Sequence, residues 1–512
     1  MKESEVAMLQ LNHLTIRHRR TNAVLVPDLT VSIQKGDKVA LIGQEGVGKS
    51  TLLSYLFDPE SIKEYADVHG QISYLSRHIS YLPQQMPAAD WRKDCFSYLY
   101  NPETDNVFDF NRCFQLANEL GFASTHFDSP QTIGSLSGGE RLKLQLIKLF
   151  LAPSDLLLLD EPANDLDLDS LEWLQNAIRQ SQQTIIFISH DEHLLAKTAN
   201  KIIHLEYHKK KKQALVHTKK CSYLDYMANR QRQFSKQNAL AKKEQQERNK
   251  QLAKLRRSQS AVHHALNQTR NDIEGRLLAK KMKALKAQQK RFERENRQKE
   301  PVPYQTDTVH ITFQKLQPLP AGKKILCYEH ELLPLPQAGK TIPISLTVYG
   351  QDKIVITGRN GIGKTCLLKH IYQKLKEQRG ALSIGYMPQN YDEIWDGQET
   401  ALEFCGRRHQ KEQVLTYLSS LQFNYEDIYR PVNKLSGGQK AKLLLAQMLL
   451  NQHNILLLDE PTRSFSPTSQ KSIRQVLKAY PGCIISVSHD RSYISHVPKI
   501  SYQLTEKGLI KK

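Results

Sequence analysis

The chain has 512 residues, enough for about three domains of ordinary size and several apolar cores. Hydrophobic residues make up 39% and charged residues 24%, a globular balance, and no stretch approaches the roughly 20 continuous apolar residues that cross a bilayer as a helix. A membrane-spanning helix is therefore not expected, while a formal charge of +20 points to a polyanionic partner, nucleic acid or an anionic membrane surface.

The start, Met1-Lys2-Glu3-Ser4-Glu5, lacks the apolar run of a secretory signal, so the expected location is cytoplasmic. The seven cysteines are scattered without a Cys-x-x-Cys pair, which predicts reduced and mostly buried thiols rather than a disulfide or zinc framework. The first informative element is Val39-Ala40-Leu41-Ile42, a short apolar run that enters a glycine-rich turn as a buried strand does. The turn, Gly43-Gln44-Glu45-Gly46-Val47-Gly48-Lys49-Ser50, followed by Thr51, matches the P-loop pattern. Its glycines let backbone N–H groups close around phosphate oxygens, and the helix that follows adds a favourable field at its N-terminus. Lys49 would reach the β- and γ-phosphates of ATP, and the Ser50 hydroxyl would hold Mg²⁺.

Further along come Tyr81-Leu82-Pro83-Gln84 and then Leu136-Ser137-Gly138-Gly139-Glu140, which opens a helical pattern from Arg141 to Leu151. A second buried strand, Leu156 to Leu159, runs into Asp160 and Glu161, and a third, Thr184 to Ile188, runs into Ser189-His190-Asp191. Asp160 is placed to hold the magnesium shell. Glu161, on the strand-end turn, is placed to face the γ-phosphate and polarise the attacking water.

The segment 209 to 300 differs in kind. It has 27 Lys and Arg against 8 Asp and Glu, a net of +19, so nearly all the excess charge of the chain sits here. It holds no proline and one glycine, Gly275, and is rich in good helix formers. Leu278, Met282, Leu285 and Phe292 make a thin apolar seam of the kind that pairs two helices. A break around Ser258 to Asn271 predicts two antiparallel helices of about 30 residues and roughly 45 Å each, the second stopped by Pro301-Val302-Pro303.

Beyond it the first pattern returns. Ile354 to Thr357 enters Gly358-Arg359-Asn360-Gly361-Ile362-Gly363-Lys364-Thr365, a second P-loop, and Tyr386-Met387-Pro388-Gln389 follows. Leu435-Ser436-Gly437-Gly438-Gln439 precedes a helical pattern from Lys440 to Leu450. The strands Ile455 to Leu458 and Cys483 to Val487 lead to Asp459-Glu460 and Ser488-His489. Ser436, Asp459 and His489 each lie 299 positions after Ser137, Asp160 and His190, so one domain has been copied. Lys364, Thr365, Asp459 and Glu460 inherit the roles read for the first copy. Lys49 to Ser137 spans 88 positions and Lys364 to Ser436 spans 72, leaving about sixteen extra residues in the first copy, most simply a surface loop.

P-loop, Leu-Ser-Gly-Gly, Asp-Glu-Pro and Ser-His-Asp in this order, twice, resemble the ATP-binding cassette. With a long basic linker and no membrane segment, the chain resembles the F family of those proteins. The resemblance implies an α/β fold: two P-loop ATP-binding-cassette domains, residues 5–207 and 307–505, joined by a basic helical hairpin at 208–300. It implies that the cassettes pair within one monomer, so that Ser436, Gly437 and Gly438 close over the ATP held by Lys49. Ser137, Gly138 and Gly139 would likewise close over the ATP held by Lys364. Gln84 and Gln389 resemble the glutamines that contact Mg²⁺ and water, with Gln85 an alternative in the first copy. His190 and His489 resemble the histidines that contact the γ-phosphate, and His18 stands roughly where an aromatic stacks on adenine.

In that family ATP hydrolysis is coupled to the translating ribosome, and no membrane partner is expected. The linker helices reach from the tRNA exit site toward the peptidyl-transferase centre, near 23S rRNA and the P-site tRNA. Glu460-Pro461-Thr462-Arg463-Ser464-Phe465-Ser466 departs from the usual Glu-Pro-Thr-Asn-His-Leu-Asp, and Glu161-Pro162-Ala163-Asn164-Asp165-Leu166-Asp167 departs more mildly. The former resembles antibiotic-resistance members that dislodge drugs from the ribosome; a general translation factor of the same family is the alternative. Ser466, where an acid is usual, raises the question whether the two ATP sites turn over equally. A twin-cassette transporter motor is the competing class, but it gives no reason for a helical +19 segment.

Overall fold

The computed structural model describes residues 7–44, 46–75, 78–100, 108–208, 213–268, 272–298, 316–335, 341–378, 382–391, 394–395, 398–407, 409–421 and 423–512. The chain divides into two compact units. One, residues 1–223 with 307–512, holds both halves of the repeat, and the other is residues 224–306. Among the described residues no helix is long and apolar enough to cross a membrane.

Each half is built on a six-stranded sheet. In the first the order is Ile79–Leu82, Leu156–Asp160, Thr184–Ile188, Lys38–Gly43, Lys201–His208, Gln213–Lys219; the first five are parallel and the last is antiparallel. The second half repeats it as Ile384–Met387, Ile455–Asp459, Cys483–Val487, Lys353–Thr357, Ile500–Thr505, Gly508–Lys511. The central strands read as unbroken apolar runs because both faces are covered, and every residue of Leu156–Asp160 and Ile455–Asp459 is buried. Both sheets extend beyond the boundaries drawn at 207 and 505, since Gln213–Lys219 and Gly508–Lys511 pair as their edge strands.

The extra residues of the first half are mainly a strand, not a loop. Lys49 to Ile79 spans 30 positions and Lys364 to Ile384 spans 20, so ten of the sixteen fall there. They form Ala66–Tyr74, which pairs antiparallel with Ala7–His18 and, with Val24–Gln34, completes a three-stranded sheet. The second half has a two-stranded counterpart, Lys324–Pro334 and Thr341–Tyr349. The added strand runs close against its neighbour at Gly70, whose φ is +114° and where a Cβ would lie 2.6 Å from the His13 carbonyl oxygen. The alternating pattern of Ala66–Tyr74 makes a strand possible, and Gly70 permits the approach.

The second unit is a helical hairpin. Its helices are Tyr223–Gln268, 46 residues and about 69 Å long at 1.5 Å per residue, and Asp272–Gln298, 27 residues. The two helices expected from a break around Ser258 to Asn271 are present, but the first runs on to Gln268, the far end of that range, and is longer than the roughly 30 residues expected. Ser258 to Gln268 contains no glycine or proline, and its alanines, leucine and glutamines sustain a helix. Gly275, Leu278, Met282, Leu285 and Gln289 are half-buried at alternating spacings of three and four, as are Leu252, Leu255, Gln259, Val262 and Leu266 at spacings of three and four, with Val262 fully buried. Gln259 joins the two seams, donating to the Leu285 carbonyl at 3.4 Å and to Gln289 at 2.8 Å. The Phe292 side chain, Pro301-Val302-Pro303 and the domain edges at 5 and 307 lie outside the described residues.

Gly70→Ala is expected to lower stability by about 1–3 kcal/mol, since an L side chain there meets both a disfavoured φ and the facing backbone. Urea unfolding checks it, and the equivalent change at Gly46, where a Cβ meets nothing within 4 Å, reports the dihedral cost alone.

Candidate active site

The site begins at the ends of the central strands. Lys38–Gly43 and Lys353–Thr357 each deliver the chain into a loop that turns directly into a helix, Lys49–Phe57 and Lys364–Glu377. Gly48 and Gly363 cap these helices at φ +88° and +101°, a conformation that favours glycine. Lys49 Nζ donates to the carbonyls of Gly43 at 3.0 Å and Gln44 at 2.8 Å. Lys364 Nζ does the same to Gly358 at 2.9 Å and Arg359 at 2.8 Å. The ammonium groups are thus folded along loops whose N–H groups converge at a helix N-terminus, the arrangement that receives phosphate.

The strands Leu156–Asp160 and Ile455–Asp459, each separated from its P-loop strand by one other, lead into Asp160-Glu161 and Asp459-Glu460. Both glutamates hold positive φ, 54° and 50°, a strained conformation for an L residue that recurs in the two copies. Their backbone N–H groups donate to the neighbouring strand, Glu161 to Ile188 at 3.0 Å and Glu460 to Val487 at 2.9 Å. Their carboxylates accept from the backbone N–H of His190 at 3.2 Å and His489 at 3.3 Å. Backbone strain and these bonds together hold each carboxylate beside its histidine.

The electrostatics of the two copies differ. Burial pushes the Asp160 carboxyl up to about 6, against the pull of the Ser50 hydroxyl bonded to it, and raises Asp459 against Thr365 in the same way. Burial also opposes the charge on both glutamates. At Glu161 it is outweighed by His190, whose Nε2 lies 3.0 Å from Oε1, and the carboxyl is held below its usual range. At Glu460 the histidine Nε2 lies 3.9 Å away, and burial beside Asp459 pushes the carboxyl up to about 8. Burial and the Lys364 charge push His489 down to about 3.

Asp160 Oδ1 and Asp459 Oδ2 are buried without a hydrogen-bond partner. A carboxylate oxygen left open beside a serine or threonine hydroxyl is a hard-oxygen set that fits magnesium. The residues present therefore suit the ion.

Both halves face one cavity of about 1060 Å³. Gly46, Lys49, Ser50, Asp160, Glu161, His190 and Gln84 line it from the first half, and Asn360, Gly361, Gly363, Lys364, Thr365, Asp459, Glu460, His489 and Gln389 from the second. Ser137, Gly138 and Gly139, with Ser436, Gly437 and Gly438, complete the wall. Ser137 and Ser436 cap the helices Gly138–Leu151 and Gly437–Leu450 in reciprocal capping boxes with Glu140 and Gln439, so each helix presents its N-terminus to the cavity. Gly43, Gln44, Val47, Gly48, Thr51, Gly358, Arg359 and Ile362 shape the loops behind this wall, and Glu45 lies outside the described residues. Gln85 and His18 are not in the lining; the His18 ring sits 6.4 Å from that of Tyr65, at the end of its strand.

The halves also touch directly, through Asn360 of the second P-loop and through residues that the sequence does not single out as functional. Asn360 in the second P-loop donates its side-chain amide to the Asp165 carbonyl and its backbone N–H to Asp167 at 3.4 Å. Arg463 grips Asp165 with two nitrogens, at 2.8 and 2.9 Å. Arg474 reaches Glu192 at 2.7 Å, and Arg491 lies 3.7 Å from Glu172. The available signal was charge. Arg463 and Asp165 are departures from one motif in its two copies, of opposite sign and one position apart.

The model of the ABC transporter family matches residues 26–164 and 342–463, just over half of the chain. The chain belongs to the ABC transporter family. Both matches contain a P-loop and an Asp-Glu pair, so two cassettes are present. The chain is 28% identical over 538 aligned positions to the ATP-binding protein YdiF of Bacillus subtilis, covering 92% of this chain and 76% of that protein. It is 25% identical to ABC transporter F family member 2 of Arabidopsis thaliana, covering 95% and 75%. In fold it is similar to the archaeal ribosome recycling factor aABCE1, solved with the stalk protein aP1, with a TM-score of 0.60 at 16% identity over 98% of this chain and 90% of that one.

The two glutamates predict opposite effects of one substitution. Glu460 binds its proton more tightly folded than unfolded, so its contribution to stability is full below its ordinary value of 4.5 and is lost as pH rises to about 8. Glu460→Gln should therefore raise the apparent melting temperature of the nucleotide-free chain at pH 8, on the order of 3 °C per kcal/mol gained, with little effect at pH 5. Glu161 is depressed, so its contribution is present at neutral pH and lost in acid; Glu161→Gln should lower the melting temperature at pH 7. Thermal scans across pH check both signs.

Proposed function

We propose that the chain is an ATPase whose two cassettes close over two ATP molecules and thereby position the basic hairpin against ribosomal RNA. The observation that carries this reading is a helical hairpin, residues 223–298, with 20 Lys and Arg against 7 Asp and Glu, a net of +13, inserted between two cassettes that share one cavity. Clustered Lys and Arg on a rigid helical probe neutralise phosphates of a folded RNA. A motor for a separate membrane protein has no use for such an insert.

In each site the lysine, Lys49 or Lys364, would bind the β- and γ-phosphates, and the Ser-Gly-Gly of the opposite cassette would offer a hydroxyl and helix N–H groups to the γ-phosphate. Glu161 and Glu460 would orient and polarise the attacking water, with His190 and His489 contacting the γ-phosphate. Ser50 with Asp160, and Thr365 with Asp459, would hold magnesium, with Gln84 and Gln389 completing its shell. When bound, that ion neutralises charge between the phosphates. Closure would act as the clamp, and hydrolysis to ADP and phosphate would reset it.

The ribosome is the proposed partner, through 23S rRNA near the P-site tRNA. The likeness in fold to a protein described as a ribosome recycling factor and the family member named F support this. Within it we place the chain among proteins that dislodge antibiotics from the peptidyl-transferase region, on the strength of the Arg463-Ser464-Phe465-Ser466 departure.

The Glu161→Gln/Glu460→Gln chain should pellet with bacterial ribosomes in ATP and remain in the supernatant in ADP. Affinity should fall steeply with salt, about tenfold or more between 50 and 200 mM, as phosphate contacts by several hairpin cations require. A supernatant location in ATP at moderate salt overturns the ribosome reading. Expression in a susceptible host should raise the growth-inhibitory concentration of at least one lincosamide, macrolide, pleuromutilin or phenicol; no change for any of them removes the resistance assignment and leaves a general translation factor.

A further inference from the structure

The two cassettes meet at chemically different loops. After its catalytic glutamate the first runs Asn164-Asp165-Leu166-Asp167, the second Arg463-Ser464-Phe465-Ser466. Each loop is anchored at its root, Asn164 N–H donating to the Glu161 carbonyl and Arg463 N–H to the Glu460 carbonyl, both at 3.2 Å. Arg463 then crosses to the other cassette and takes Asp165 by both carboxylate oxygens, a fork geometry that fixes direction as well as distance. Both side chains are about 30% exposed, so the pair is only partly screened by solvent.

Asp165 is also a hinge of the site built on Lys364. Its φ is +65°, its carbonyl receives the Asn360 side chain, and its carboxylate lies 3.4 Å from where a Cβ on Gly138 would stand. A Cβ on Gly139 would lie 2.7 Å from the Asp165 carbonyl oxygen and 2.5 Å from the Asn360 amide. Thus P-loop, Asp165 loop and Ser-Gly-Gly are in van der Waals contact at this site, and Arg463 holds their common member. The other site has no such means by sequence. The position matching Asn360 is Glu45, and those matching Asp165 and Asp167 are Ser464 and Ser466, so no ion pair of this type can form there.

We propose that the Arg463–Asp165 pair is an inter-cassette latch that positions the Asp165 loop against Asn360 and so assembles the nucleotide site of Lys364 in preference to that of Lys49. The proposal rests on the ATPase reading above. Arg463 acts through Asp165 and is a positioning residue. The same polarity, arginines from the second cassette on acids of the first, recurs at Arg474–Glu192 and Arg491–Glu172, and these keep the cassettes in register when the latch alone is changed.

Two backgrounds separate the sites: Glu161→Gln leaves turnover to the Lys364 site, and Glu460→Gln leaves it to the Lys49 site. In the first, Arg463→Asp should lower kcat about tenfold with KM changed less than about threefold, and Arg463→Gln should fall between. The exchange Arg463→Asp/Asp165→Arg should return kcat to within about threefold, the signature of a direct pair. In the second background all these variants should stay within about twofold of their parent. Equal losses in both backgrounds, or an exchange no better than its single changes, overturn the latch. A wild-type chain that does not hydrolyse ATP overturns the ATPase reading and the latch with it, which distinguishes the two failures.

Discussion

In each half one buried strand, Leu156–Asp160 or Ile455–Asp459, leads into two adjacent carboxylates sunk out of water, and the cost of that burial shapes everything around them. Like charges this close and this dry are tolerated only where cations, hydrogen bonds or protons offset them. The P-loop lysine, the serine or threonine beside it and the histidine of the next strand each supply part of the balance. The open oxygens of Asp160 and Asp459 mark where the rest would come from, a magnesium ion arriving with its nucleotide. A strand end that is unfavourable alone becomes favourable when a ligand completes it, which is how a binding site is coupled to closure of a cavity.

The two copies meet this constraint differently. In the first, a close histidine stabilises the charged glutamate. In the second, the histidine is farther off and the glutamate keeps its proton to about pH 8. The interface repeats the inequality, since the second cassette contributes the arginines and the first the acids. Duplication followed by complementary divergence gives a molecule in which neither half is interchangeable with the other, although the backbones of the sheets remain alike.

Much of this was legible in the sequence. All six of the apolar runs read as strands are strands: a parallel strand buried on both faces is a short unbroken apolar run, and each of these is too short for a helix and ends on a P-loop, an Asp-Glu-Pro or a Ser-His-Asp. The cavity-lining Lys, Ser or Thr, Asp, Glu and His were legible because their spacing is dictated by phosphate chemistry. What escaped was long-range. The extra residues of the first copy, most simply a surface loop, are mainly the strand Ala66–Tyr74, whose pairing depends on Gly70 lying against His13, and the first hairpin helix runs on to Gln268 because nothing in its local sequence stops it. Arg463 and Asp165 are 298 positions apart, and only the paired fold brings them together.

Each nucleotide site, on the function proposed, is divided between the cassettes, with the Ser-Gly-Gly of one closing the P-loop of the other. Equilibrium dialysis of Mg-ATP against the Glu161→Gln/Glu460→Gln chain, with and without Ser436→Arg, tests it most directly. The parent should bind two nucleotides per chain, and the Ser436→Arg chain one, at Lys364, although both P-loops are intact. Two tight nucleotides retained by the Ser436→Arg chain, or loss of the one at Lys364 in place of the one at Lys49, would contradict it.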